Sequence, residues 1–158
     1  SYPLMKRYTY WPQLFLGVTF NYGLILGWVS VTNNINLIPI IIYLGAIFWT
    51  LGFDTIYGFQ DLKDDEIIGV KSTSIKFKKN PKLFLSMCYL IFIISFILLG
   101  IFMEFNNIFY LFMTIPTFHL FNQIYNIDIS NHKNNLKIFK SNNFFGLIVI
   151  LNILVGKY

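Results

Sequence analysis

The chain has 158 residues, of which 56% are hydrophobic, 20% aromatic and 12% charged, and its net charge is +5. Soluble domains carry about 25% charged residues, so this composition excludes an ordinary soluble domain and places the chain among integral membrane proteins. The basic residues border apolar runs, where they set topology, so no nucleic-acid partner is expected. The single cysteine, Cys88, excludes a disulfide framework.

Residues 1–10 form a polar and aromatic approach, with Lys6 and Arg7 ahead of the first apolar run. Pro12 suits a first helical turn, where its missing N–H is no loss. The pattern predicts a first span over roughly 11–31, with Gly17, Gly23 and Gly27 available for close helix approach. Residues 32–36 are a polar turn. A second span, roughly 38–58, delivers Asp54 and Tyr57 at its far end. A polar loop over 60–82 follows, carrying Lys63, Lys71, Lys76, Lys78, Lys79 and Lys82. Asn80-Pro81 marks a turn and a helix start. The third span covers roughly 83–103 and the fourth roughly 108–126, with Pro116 as a kink site. A second polar loop, 128–142, holds Lys133, Lys137 and Lys140. The fifth span, roughly 143–156, is short, and Lys157 can snorkel from its end. The chain starts with Ser and has no signal-peptide layout, so it reads as part of a longer protein.

Five spans divide the remaining segments into two sets. The N-terminus and the loops 60–82 and 128–142 hold eleven of the twelve Lys and Arg residues; the other set holds only Lys157. The positive-inside rule therefore places the first set in the cytoplasm. His119 falls within a span and reads as a hydrogen-bonded bundle residue. Cys88 reads as packing.

The acids are even more concentrated. Five of the seven lie between positions 54 and 66: Asp54, Asp61, Asp64, Asp65 and Glu66. Asp54 ends a charge-free run over 8–53. An acid at the edge of a membrane segment points to function. On a continuous helix at about 100° per residue, Asp61 and Asp65 each lie roughly 20° from Asp54, so the three share a face. Asp61 and Asp65 form an i, i+4 pair able to hold one cation, whereas Asp54 is about 10 Å further along the axis. Oxygen ligands favour Mg²⁺ or Ca²⁺, and Mg²⁺ commonly completes its shell with water and phosphate oxygens. The plain alternative is a solvated loop whose acids pair with Lys63 and Lys71.

The pattern Asp54-x-x-Tyr57-x-x-x-Asp61-x-x-Asp64-Asp65, followed by Gly69-Val-Lys71-Ser-Thr73, resembles the second aspartate-rich motif of the UbiA superfamily of membrane prenyltransferases. Tyr2-Pro3-x-x-Lys6-Arg7-x-Thr9, then Pro12-Gln13-x-x-x-Gly17, resembles the 4-hydroxybenzoate-prenylating branch. Asn142-Asn143-x-x-Gly146 fits that branch near its last helix. The resemblance runs through essentially the whole chain.

The resemblance implies an all-α fold, a polytopic transmembrane bundle with about five helices of a nine-helix UbiA-type fold. Residues 1–158 are then the C-terminal part of one domain, and four N-terminal helices are missing partners. It implies Mg²⁺ as cofactor and transfer of a polyprenyl group from polyprenyl diphosphate to the ring of 4-hydroxybenzoate, in ubiquinone biosynthesis. The first aspartate-rich motif is absent here, so residues 1–158 alone are expected to be inactive. Asp61 and Asp65 are implied to bind Mg²⁺ and diphosphate, with Asp64 either a further ligand or solvated. Asp54 is implied to be a catalytic carboxylate that lines the cavity, and Tyr57 to bind substrate. Lys71 contacts diphosphate or serves as an interfacial lysine. Tyr2, Lys6 and Arg7 hold a benzoate carboxylate, although topology accounts for Lys6 and Arg7 equally well. The expected location is a bacterial inner membrane, with the site toward the cytoplasm. The competing readings are a fragment of a cation- or proton-coupled transporter, with Asp54 as the coupling acid, and an inactive truncated paralogue.

Overall fold

A computed structural model describes residues 2–157, apart from the side chains of Tyr2 and Pro3. Among the described residues there are nine helices and no strand: α1 Tyr2–Tyr8, α2 Pro12–Thr32, α3 Leu37–Gly58, α4 Leu62–Ile68, α5 Thr73–Lys76, α6 Pro81–Phe102, α7 Asn107–Phe112, α8 Thr114–Asn126 and α9 His132–Lys157. Four of them, α2, α3, α6 and α9, are long and apolar enough to cross a membrane. Their starts follow local chemistry. Pro12 and Pro81 occupy first turns. The Asn36 side chain accepts the Ile38 backbone N–H at 3.0 Å, and the Asn131 side chain accepts that of Asn134 at 3.0 Å.

The fourth expected span is broken rather than continuous. α7 stops at Phe112 and α8 starts at Thr114. Pro116 is the cause: it has no N–H for the Phe112 carbonyl, and its ring crowds that carbonyl. Together α7 and α8 still carry the chain from one end of the bundle to the other. At the far end, Asn106 donates its backbone N–H to the Gly156 carbonyl and its side-chain amide to the Val155 carbonyl, both at 3.0 Å. At the Lys-rich end, the Lys82 ammonium donates to the Tyr125 carbonyl at 3.0 Å. The polar segments also differ from expectation. The 60–82 stretch contains α4 and α5, and most of 128–142 is the first part of α9.

The core gathers around α3, which packs on α2, α6 and α9. Trp49 of α3, Phe92 of α6 and Phe145 of α9 meet with ring centroids 5.1–6.1 Å apart. Close approach depends on α3 glycines. A Cβ on Gly45 would stand 2.7 Å from Ser95 Cβ, and one on Gly52 would stand 2.5 Å from the Tyr89 ring. Of the three α2 glycines expected to do this, only Gly17 does, against the Ile47 carbonyl; Gly23 and Gly27 have nothing within 4 Å.

A chain of polar side chains ties four helices together. The Tyr89 hydroxyl of α6 donates to Gln123 Oε1 of α8 at 2.6 Å. Gln123 Nε2 donates to Asn142 Oδ1 of α9 at 3.1 Å, and the Trp49 indole of α3 donates to the same oxygen at 3.2 Å. Such polar contacts join helices inside a bilayer. His119 lies beside them, its Nε2 3.1 Å from Gln123 Nε2 and 3.2 Å from Ser141 Oγ. Cys88 is fully packed in the core.

Candidate active site at the acidic turn

α3 does not continue through the acidic stretch. Phe59 and Leu62 are both drawn into the core, so the chain must turn after Gly58. The condition for Asp54, Asp61 and Asp65 to share a face, one continuous helix, is therefore not met. Asp54 is buried in the last turns of α3, while Asp61 precedes α4 and does not cap it through its side chain. The Asp61–Asp65 relation survives, because the Asp65 backbone N–H donates to the Asp61 carbonyl at 2.8 Å, one helical turn apart. α4 ends at Gly69, whose φ of +78° lies in the left-handed region that glycine favours, and whose N–H returns to the Asp65 carbonyl at 3.1 Å.

The segment after this turn is fastened to the bundle. Gln13 Oε1 of α2 accepts the Thr73 backbone N–H at 3.0 Å. The Thr55 hydroxyl of α3 donates to the Leu51 carbonyl at 2.6 Å, so the Thr73 hydroxyl donates to Thr55 across 2.7 Å. The Ser74 hydroxyl donates to the Thr55 carbonyl at 2.9 Å. A side chain on Gly58 would collide with that Ser74 hydroxyl. The acids thus sit on a short helix held between the end of α3 and an anchored α5.

The surrounding cations are arranged unequally. Lys6 Nζ lies 3.5 Å from Asp65 Oδ2, and the Lys6 carbonyl accepts the Lys71 backbone N–H at 2.7 Å. The Lys71 side chain turns elsewhere: its ammonium donates to the Tyr8 carbonyl at 3.4 Å and lies 5.7 Å from the Tyr10 ring centre. Glu66 pairs with Lys78. Among the described residues Asp65 and Glu66 thus pair with Lys6 and Lys78 rather than with Lys63 or Lys71. Arg7 is exposed and makes no ion pair among the described residues. Tyr57 is half-exposed, with its ring 4.6 Å from that of Phe139 on α9. The side chain of Tyr2 lies outside the described residues.

A hard divalent cation fits this donor set. Asp61 and Asp64 are exposed, and Asp65 is partly buried beside Lys6. Among the described residues no three His, Cys, Asp or Glu groups converge on one point. Carboxylates arranged this way would provide only part of a coordination shell, and a hard cation would have to complete it with water or phosphate oxygens. Gln13 and Thr73 were visible only as motif residues; their role with Thr55 as supports of this turn depends on contacts between distant segments, for which the polar Gln13 and Thr55 within apolar runs were the available signal.

Comparison with known proteins fits this arrangement. Residues 1–148 match the UbiA prenyltransferase family. The chain is 41% identical to the mitochondrial 4-hydroxybenzoate polyprenyltransferase of Bos taurus over 157 residues, covering 99% of this chain and 42% of that protein. It is equally 41% identical to the mitochondrial 4-hydroxybenzoate polyprenyltransferase of Drosophila melanogaster, with 99% and 40% covered. It is 39% identical to 4-hydroxybenzoate geranyltransferase 2 of Lithospermum erythrorhizon, with 99% and 52% covered. The chain thus spans about two fifths to one half of the length of these relatives. No solved structure matches. These animal and plant relatives give no support to the bacterial inner membrane expected above. The acidic turn, the apolar helices and the match over nearly the whole chain lead to one conclusion: the chain belongs to the UbiA prenyltransferase family.

Proposed function

We propose that the protein containing this chain transfers a polyprenyl group from polyprenyl diphosphate to the ring of 4-hydroxybenzoate. The observation that carries this reading is the Asp61–Asp65 turn, anchored at the Lys-rich end and flanked by Lys6. The names of the relatives supply the substrates.

Asp61 and Asp65 hold the divalent metal, Mg²⁺, with Asp64 as the weaker candidate. Bound there, the metal supplies Lewis-acid assistance to the departure of diphosphate. Lys6 sits against Asp65 and can present its ammonium to an arriving phosphate or carboxylate. Lys71 holds the start of the Ser72-Thr73 segment to α1 through its backbone N–H, and its ammonium stands between Tyr8 and Tyr10 at the rim. Arg7, exposed and without an ion pair among the described residues, is the candidate partner of a substrate carboxylate. Tyr57 and Phe139 form an aromatic wall next to the acidic turn, suited to an allylic chain or an aromatic ring. Asp54 lines the inner end of the site. The protein is integral to the membrane, and its Lys-rich end faces the side that positive loops retain.

The test is product formation from 4-hydroxybenzoate and polyprenyl diphosphate with Mg²⁺ by the full-length protein. Asp61→Asn is expected to abolish turnover while the protein still inserts. Normal turnover in that variant would refute the assignment. A polypeptide of residues 1–158 alone is expected to give no product, because it carries one acidic turn. Robust activity from it would show that the site needs nothing further.

A further inference from the structure

A second polar site lies away from the acidic turn. A cavity of about 410 Å³ opens between α8 and α9, lined chiefly by His119, Asn122, Gln123, Asn134, Lys137 and Ser141. None of its lining residues comes from the 54–73 stretch, and none is acidic. On α8, His119, Asn122, Gln123 and Asn126 recur at i, i+3, i+4 and i+7 and so share one face. On α9, Lys137 and Ser141 stand one turn apart and face them.

The floor of the cavity is fixed. Gln123 is buried and held by the Tyr89 hydroxyl at 2.6 Å. The Ser141 hydroxyl donates to the Ile138 carbonyl at 2.6 Å, which fixes that side chain too. At the mouth, Lys137 is exposed and makes no ion pair among the described residues. The Asn122 side chain, also exposed, makes no hydrogen bond among them. An uncommitted ammonium and an uncommitted amide therefore converge over a rigid polar floor without any carboxylate. That combination selects an oxyanion.

Depth in the membrane narrows the choice. Lys133, Lys137 and Lys140 lie in the polar first part of α9, and the apolar run begins just after Asn143. The α9 residues that line the cavity, Asn134 to Ser141, lie within that polar part and reach to the edge of the apolar run. Basic pockets between membrane helices at this depth suit lipid head groups. We propose that the cavity between α8 and α9 binds a phosphate group, with Lys137 as its charge partner and the Asn122 amide as a further donor. An anionic phospholipid is the source at hand; free phosphate or diphosphate is the other source with the same chemistry.

The experiment uses the full-length protein in phosphatidylcholine nanodiscs and follows binding of fluorescent phosphatidylglycerol. A parallel titration in detergent uses inorganic phosphate and diphosphate. Lys137→Gln is expected to weaken phosphatidylglycerol binding about tenfold, the loss of one charge-assisted contact. Lys137→Arg should restore it. Lys133→Gln makes the same charge change outside the cavity and should leave binding unaltered. Lys137-dependent binding of inorganic phosphate or diphosphate alone would keep the site and assign it the soluble source. Equal binding by wild type and Lys137→Gln in both titrations, or an equal loss in Lys133→Gln, would overturn the proposal.

Discussion

Two polar regions of this bundle are built on opposite terms. The acidic turn places charged groups at the surface of a short helix, with little packed around them and the structure borne by hydrogen bonds behind it. The Tyr89–Gln123–Asn142–Trp49 chain buries neutral amides among helices, each already satisfied by a neighbour. Charge that must meet a ligand stays accessible, and polarity that must join helices is enclosed. Removing a group should therefore cost chemistry in the first region and folding in the second.

The largest expected effect is in the first region. Asp65→Asn should lower turnover of the full-length protein at least about 100-fold, or about 2.7 kcal/mol in the barrier, with thermal unfolding little changed. Asp64→Asn, measured in the same assay, should be clearly milder. Equal losses in both would mean that the carboxylates act as a diffuse charge rather than as a pair.

The supports of the turn come next. Gln13→Leu leaves the Thr73 N–H buried and unpaired, at a cost of about 1–3 kcal/mol. Activity should fall with stability, because the Ser72-Thr73 segment loses its anchor. Unfolding in detergent and the product assay together check this; an unchanged midpoint would show that the anchor carries no weight.

In the second region, Gln123→Leu removes the link between Tyr89 and Asn142. Polar contacts inside membranes average about 0.6 kcal/mol and reach about 1.7, so the unfolding midpoint should drop modestly. Catalysis per folded molecule should stay intact. A large catalytic loss with no loss of stability would place Gln123 in the reaction site and break the contrast. The smallest effect is expected for Glu66→Gln. Its pair with Lys78 is exposed, and such pairs contribute about 0–1 kcal/mol.

Much of the fold was legible because membrane helices follow from long apolar runs. The charge-free stretch over 8–53 and the apolar stretch after Pro81 mark α2, α3 and α6 closely. The start of α9 was missed because its first turns are polar: His132, Lys133 and Asn134 read as loop, while the cap at Asn131 starts a helix there. The division of α7 from α8 was half-visible in Pro116. In the site, the Asp61–Asp65 spacing was legible, since i, i+4 neighbours remain a turn apart wherever the helix begins. The end of the second span at about residue 58 was legible too, but the fold of the chain beyond it was not, because it depends on where Phe59 and Leu62 find burial, and that is a property of the packed bundle. The Lys6–Asp65 contact was equally hidden, since it joins residues far apart in the chain.

The most direct test of the central claim is Mn²⁺ binding to the full-length protein, followed by electron paramagnetic resonance with and without an unreactive diphosphate analogue. Mn²⁺ stands in for Mg²⁺ with the same preference for oxygen ligands. The account predicts that the analogue tightens Mn²⁺ binding in the wild type, and that Asp61→Asn and Asp65→Asn lose this enhancement while keeping a native unfolding midpoint. Undiminished, analogue-enhanced binding in both variants would contradict it.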